Sequence, residues 1–340
     1  MERQLLVNQH KSNYNTADIF EIYNFTLAIL INGGLLLFSH LTYCKMIGSF
    51  LLAAMIFFCS NAVADPVLNK VLSTHSITLA WVGSSKPISW ELNGKPTGMA
   101  VDICQDVVDS IKKRYNTNIN IQWVEVASAA RFEYISHHKA DILCAIAGNT
   151  AQRNKFVTFS KPWFFTRTNF LAKKSQRINS MEMLSGRTVG AISGGTSALL
   201  LSAMNQNINY SISVKLMRSF DEGFDLLEQG HISAFVTDDI IIHSKLAEMA
   251  DRNDYQMSAE GFGDVIPYGM VIPKDADEIE AIINDELKNL FISKRFDELY
   301  NKWFMSPISP TGENMQQPMS KDLIKEKNSY LLAPETPTTD

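Results

Sequence analysis

The sequence predicts an α/β protein built as two successive blocks, and three observations carry that prediction. Its 340 residues, at about 150 per domain, suggest about two domains. From Ile77 onward, apolar strand patterns alternate with amphipathic helical ones, the rhythm that gives parallel pairing. With 46% hydrophobic and 20% charged residues, the composition is that of an ordinary globular protein. It excludes a wholly disordered chain, a collagen-like repeat and a multi-span membrane protein.

The elements follow in order. The first block reads as strand Ile77 to Val82, helix Gly98 to Arg114, strand Ile119 to Val126, helix Ser128 to His137 and strand Ala140 to Ala145. After the turn Ser185-Gly186-Arg187 the second reads as strand Thr188 to Ile192, helix Thr196 to Asn205 and strand Ser211 to Lys215. Helix Phe220 to Gln229, strand Ala234 to Thr237 and helix Asp238 to Met249 complete it. A strand Met270 to Ile272 and helical patterns at Asp277 to Phe291 and Lys294 to Phe304 come next. Pro307, Pro310 and Gly312 mark a linker, Ser320 to Leu332 is an amphipathic stretch, and Pro334 to Asp340 reads as disordered.

Residues 1–64 read as a leader. Apolar residues gather at Phe25 to Phe38 and at Ile47 to Phe58, neither reaching the roughly 20 of a spanning helix. The second run is followed by Ala62-Val63-Ala64, a small-residue cleavage site in secretory order, so the mature chain is expected to begin at Asp65. Lys45 is the only cation beside that run. A start near Leu41 would keep it, and roughly the first forty residues would then precede the natural start.

Cleavage discards Cys44 and Cys59 and leaves Cys104 and Cys144. In an oxidising compartment these two can bridge, or each can be a buried small hydrophobe; sequence leaves both open. The 31 Lys and Arg against 36 Asp and Glu give a charge of −5, with no basic block, so nucleic acid is not an expected partner.

Several constellations bear on chemistry. Ser193-Gly194-Gly195-Thr196-Ser197 joins a strand to a helix, where free N–H groups and the helix dipole can hold a small anion; a tight turn with a Thr N-cap is the plainer reading. Thr237-Asp238-Asp239 ends a strand and can offer a carboxylate to a cation, or simply cap the next helix. Arg153 stands in a loop, where an Arg is ordinarily solvated. Arg131 sits between Ala130 and Phe132 near a helix start that Ser128 could cap. Templates for catalysis and for metal binding are missing: there is no G-x-S-x-G, H-E-x-x-H or C-x-x-C, and His137 and His138 point to different faces. No cofactor is expected.

Taken together, Gly98 with Asp102, Gln152-Arg153 followed by Phe159-Ser160, Ser193 to Ser197, Leu226 to Gly230, Phe235 to Asp239, Tyr268-Gly269 and Leu299 to Phe304 resemble one family. It is that of the periplasmic solute-binding proteins of polar amino-acid ABC importers, most nearly the glutamate/aspartate-binding branch. The resemblance spans Ile77 to Leu332. It implies a two-lobed periplasmic-binding-protein fold with two crossing hinge strands near Phe165 and Tyr268. Lobe 1 would be residues 65–165 plus 269–305, lobe 2 residues 166–268, and the tail 306–340. It further implies that Arg153 with the helix start at Gly195 and Thr196 holds the ligand carboxylate, and that Asp238 holds its ammonium.

Arg131, Ser128 and Ser85 match the branch's side-chain contacts, whereas Val82 stands where the branch places a second Arg. Ile146 and Gly148 stand where the family usually brings small or hydroxyl residues to the ammonium. The implied activity is capture of an acidic or polar amino acid, without chemistry, by a monomer that delivers it to an inner-membrane ABC permease. Other functions known on this fold are a cyclohexadienyl dehydratase and a ligand sensor with a membrane partner.

Overall fold

The structure, a computed structural model, describes residues 65–208 and 210–332. The leader, its cleavage site and the stretch from Pro334 on lie outside the described residues. No helix among the described residues is long and apolar enough to cross a membrane.

The chain opens with helix α1 (Pro66–Thr74), whose proline at the first helical position needs no N–H partner. Asp65 caps it: Oδ1 accepts from the N–H groups of Val67 and Leu68 at 2.9 and 2.8 Å. Strand β1 (Ser76–Trp81), the hairpin strands β2 (Ser84–Ser85), β3 (Ser89–Leu92) and β4 (Lys95–Thr97), helix α2 (Met99–Tyr115) and strand β5 (Asn120–Glu125) follow. Then come α3 (Arg131–Ser136), β6 (Ile142–Leu143) and β7 (Thr158–Phe159).

The second series begins with the long strand β8 (Phe164–Lys173) and continues through β9 (Thr188–Ile192), α4 (Thr196–Ile208) and β10 (Ser213–Met217). It ends with α5 (Phe220–Glu228), β11 (Ala234–Asp238), α6 (Asp239–Glu248), β12 (Tyr255–Met257) and β13 (Phe262–Tyr268). Strand β14 (Val271–Ile272) and helices α7 (Asp277–Ile292), α8 (Arg295–Tyr300) and α9 (Lys321–Leu332) close the described chain.

Two main sheets result, one per lobe. The first runs β5-β1-β6-β14-β7; the second runs β10-β9-β11-β8-β12, with β13 added to β8. The predicted parallel pairing holds for β1 with β5 and β6 and for β9 with β10 and β11. It fails at β14 and β8, which pair antiparallel with their neighbours. The physical reason is the return of the chain: β14 re-joins a sheet begun nearly two hundred residues earlier from the opposite direction.

Strands β8 and β13 pair antiparallel where they leave one sheet for the other, Phe164 opposite Tyr268 and Phe165 opposite Pro267. Phe164 stacks on Tyr268 and on Phe304, with ring centroids 5.7 and 5.3 Å apart, so the C-terminal helices pack directly onto the crossing.

The bridge left open by the sequence is made: Cys104 of α2 and Cys144 after β6 are disulfide-bonded, with Cα atoms 6.1 Å apart. The segment from Pro307 to Gly312, read as a linker, is exposed except at Ile308. Ile308 is buried and bridges to Glu313, whose carboxylate pairs with Lys86. Helix α3 is shorter than predicted because residues 127–130 form a preceding turn, closed by the Ala130 N–H on the Ala127 carbonyl. Helix α1, whose Val67, Leu68 and Val71 form one buried face, the short hairpin and strands β12 and β13 are elements that the sequence reading does not include.

Candidate functional site

Every candidate ligand residue of the sequence lines one cavity between the two sheets. Ser85, Ser128, Arg131, Gly148 and Arg153 come from the first lobe, and Gly195, Thr196 and Asp238 from the second. The cavity measures about 20 Å³, room for about one water.

Arg153 begins a short helical turn after β6, yet its side chain is buried rather than solvated, only 4% exposed. Nη1 donates to the Gly148 carbonyl at 2.7 Å, and Nη2 crosses to the Gly194 carbonyl at 2.9 Å. Arg131 is the first residue of α3. Its Nε donates to the Ile146 carbonyl at 3.2 Å and Nη1 to the Ser128 carbonyl. The ring of Phe132 lies against both guanidiniums, its centroid 4.4 Å from Cζ of Arg131 and 4.3 Å from Cζ of Arg153. Burial, the dominant cause, draws the Arg131 pKa down to about 9 and that of Arg153 down to about 10. Arg153 adds a like-charge effect on Arg131, while Asp238 opposes both shifts.

Asp238 ends β11 and occupies the N-cap position of α6, but its side chain makes no cap hydrogen bond. It turns into the cavity instead. Oδ2 accepts from the Tyr268 hydroxyl, and Oδ1, buried, has no hydrogen-bond partner among the described residues. Burial pushes its pKa up to about 6, partly offset by the Tyr268 hydrogen bond and the two arginines. The adjacent Asp239 is held apart from the cavity by a hydrogen bond from the Thr166 hydroxyl.

The turn after β9 brings Thr196 and Ser197 to the cavity at the start of α4, where the first N–H groups of a helix have no intrahelical partner. The N–H of Gly195 is not free, since it donates to the Ile192 carbonyl at 2.9 Å. Gly194 has φ +71°, and a Cβ there would lie 3.2 Å from Ala129 Cα, so glycine permits both the turn and the approach of the lobes.

At Gly148, a Cβ would lie 2.6 Å from Cγ2 of Ile266, so a side chain there would require Ile266 to shift. Ser85 donates from Oγ to the Ser89 carbonyl at 3.0 Å and keeps its acceptor capacity. Ser128 is buried and lies before the Ala130 N-cap, so it does not cap α3. Val82 forms part of the wall.

Sequence reasoning did not select Phe220, Ile192, Ser197 or Thr237 as cavity residues, nor Tyr268 as the partner of Asp238. Ser197 and Thr237 stood inside motifs already singled out; Phe220 and Ile192 looked like ordinary core. Among the described residues no cluster of three or more His, Cys, Asp or Glu side chains is placed to hold a metal ion.

The chain is 30% identical to the L-glutamate/L-aspartate-binding protein of Pseudomonas aeruginosa over 77% of its own length and 89% of the relative's. It is 32% identical to the ABC transporter glutamine-binding protein GlnH of Bacillus subtilis, over 65% of this chain and 76% of that one. A substrate-binding protein of an ABC uptake transporter from Streptococcus pneumoniae, solved with bound histidine, shares the fold. Its TM-score is 0.65 at 20% identity, covering 72% of this chain and 98% of that chain. Residues 77–306 match the profile of one family, and the chain belongs to it: the bacterial extracellular solute-binding proteins, family 3.

Proposed function

We propose that this protein captures an acidic or polar amino acid in the periplasm and delivers it to an inner-membrane ABC permease. Its lobes, taken as residues 65–165 plus 269–305 and 166–268, close about the β8–β13 crossing. The mature chain begins at Asp65 and acts as a monomer. One observation carries the reading: the cavity walls contain two buried guanidiniums and a single carboxylate, whose Oδ1 still lacks a donor.

In this assignment Arg153 and the α4 start hold the α-carboxylate, Asp238 takes the α-ammonium, and Arg131 with Ser128 and Ser85 faces the side chain. A zwitterion with a neutral side chain adds no net charge and leaves one guanidinium in excess. An acidic amino acid brings one negative charge and balances the site, and balance matters because uncompensated buried charge is costly. Val82 in place of a second Arg points to looser discrimination between acidic and polar ligands. The glutamate/aspartate and glutamine relatives support the same range.

Calorimetry against aspartate, glutamate, asparagine, glutamine, histidine and arginine tests the reading, with Arg131→Ala alongside. The acidic and amide ligands should bind and the cationic ones should not. Preference for arginine or histidine, or an unaltered best affinity in Arg131→Ala, would overturn the side-chain assignment.

A further inference from the structure

Behind the central cavity lies a second and much larger space, a crevice of about 340 Å³ between the β2–β3 hairpin on one side and α5 and α6 on the other. Among the described residues only Phe220 lines both spaces. The turn Val82-Gly83-Ser84-Ser85 supplies the opposite part of the partition, Val82 and Ser85 on the cavity side, Gly83 and Ser84 on the crevice side.

Phe220 is fixed for this task. It is the first residue of α5, whose N-cap Ser219 accepts from the Glu222 N–H at 3.2 Å, while Glu222 reaches back to the Arg218 N–H at 2.7 Å. These contacts pin the helix start, and α5 lies directly against β2 across the lobe boundary. The ring is 6% exposed, so it is packed rather than swinging in solvent. Beyond it, the crevice carries the ammonium groups of Lys86 and Lys245 together with the carboxylates of Glu91, Asp221 and Glu248, with Lys245 5.4 Å from the Phe224 ring and Lys86 paired to Glu248.

We propose that Phe220 sets the upper limit on ligand side-chain length, acting as the wall between the amino-acid cavity and a crevice that would accept a longer side chain. This rests on the functional reading above, with Val82 and Ser85 at the side-chain end of the ligand. A ligand one or two methylenes longer than the pocket must overpack against the ring, and a single methylene in an apolar pocket changes affinity by roughly 10–200-fold. Removing the ring joins the two spaces, and a longer side chain then extends into the crevice.

The test is calorimetry of wild-type protein, Phe220→Ala, the milder Phe220→Leu and Leu92→Ala, which lines the crevice alone. The probes are aspartate, glutamate, 2-aminoadipate and 2-aminopimelate. Both Phe220 variants should raise the affinity ratio of 2-aminoadipate to aspartate, by about tenfold or more for Phe220→Ala, while Leu92→Ala keeps the wild-type ratio. A wild-type protein that binds aspartate or glutamate, with an unchanged ratio in the Phe220 variants or an equal rise in Leu92→Ala, overturns the wall and leaves the functional reading standing. Wild-type protein that binds none of the four overturns the acidic side-chain assignment and the wall with it.

Discussion

The phenol of Tyr268, at the end of one crossing strand, donates its hydrogen bond to Oδ2 of Asp238, leaving Oδ1 to face the cavity. The carboxylate is thus oriented from the hinge. A change in the crossing that moved Tyr268 would move the group assigned to the ligand ammonium.

Burial of that carboxylate leads us to expect pH-dependent binding. Burial raises the folded pKa of Asp238 to about 6, so its contribution to stability is full below the ordinary carboxylate range and is lost as pH rises through about 6. Ligand affinity runs the other way, because the ammonium needs the ionised carboxylate, and should rise as pH climbs through about 6. Tyr268→Phe removes a donor that favours the charged form, so the midpoint should move to higher pH. Affinity titrated by calorimetry across this range checks both statements; a flat profile in wild type contradicts the first.

Arg153→Ala and Asp238→Ala should each weaken binding by about 2–5 kcal/mol, the cost of removing one partner of a desolvated charged contact. Circular dichroism must show both variants folded. Affinities within about threefold of wild type would remove these residues from the site.

Asp65 joins two helices as well as beginning the expected mature chain. Besides capping α1, its Oδ2 accepts from the N–H groups of Glu278 and Ile279 in α7 at 2.8 and 3.0 Å. Asp65→Ala in the mature chain should cost about 1–3 kcal/mol of stability, since several buried donors lose their acceptor. Chemical denaturation reads this directly, with ligand affinity expected to stay near wild type.

Lys86 ties the two lobes to the tail. Its ammonium lies 3.1 Å from Glu248 at the end of α6 and also contacts Glu313 in the segment after α8. Glu248→Gln should lower affinity by about two- to fivefold, because the pair forms across the lobe boundary and partly exposed pairs contribute about 0.5–1 kcal/mol. The difference from wild type should shrink at high salt, and a difference independent of salt would argue against the ion pair.

Much of this molecule was legible in sequence because its signals are local. Strand β9 and the starts of α4, α5 and α7 appear where apolar periodicity and turn residues place them. Local signal also misled. Asp238 has the sequence position of a helix cap and holds it, yet its carboxylate does not cap, because Tyr268, some thirty residues away, supplies the donor. Arg153 reads as a solvated loop residue and is buried because the Gly194 turn of the other lobe closes over it.

The sequence by itself determined the alternation of elements, the two-block organisation and, through the resemblance, the set of residues that gather at the cavity. Tertiary structure alone decided three further things: that Cys104 and Cys144 meet, that β8 and β14 run antiparallel, and that Phe220 divides two spaces. Each depends on which distant segments become neighbours. Periodicity within a segment records which face is apolar, but the identity of the group that packs against that face is set only when the chain returns to it.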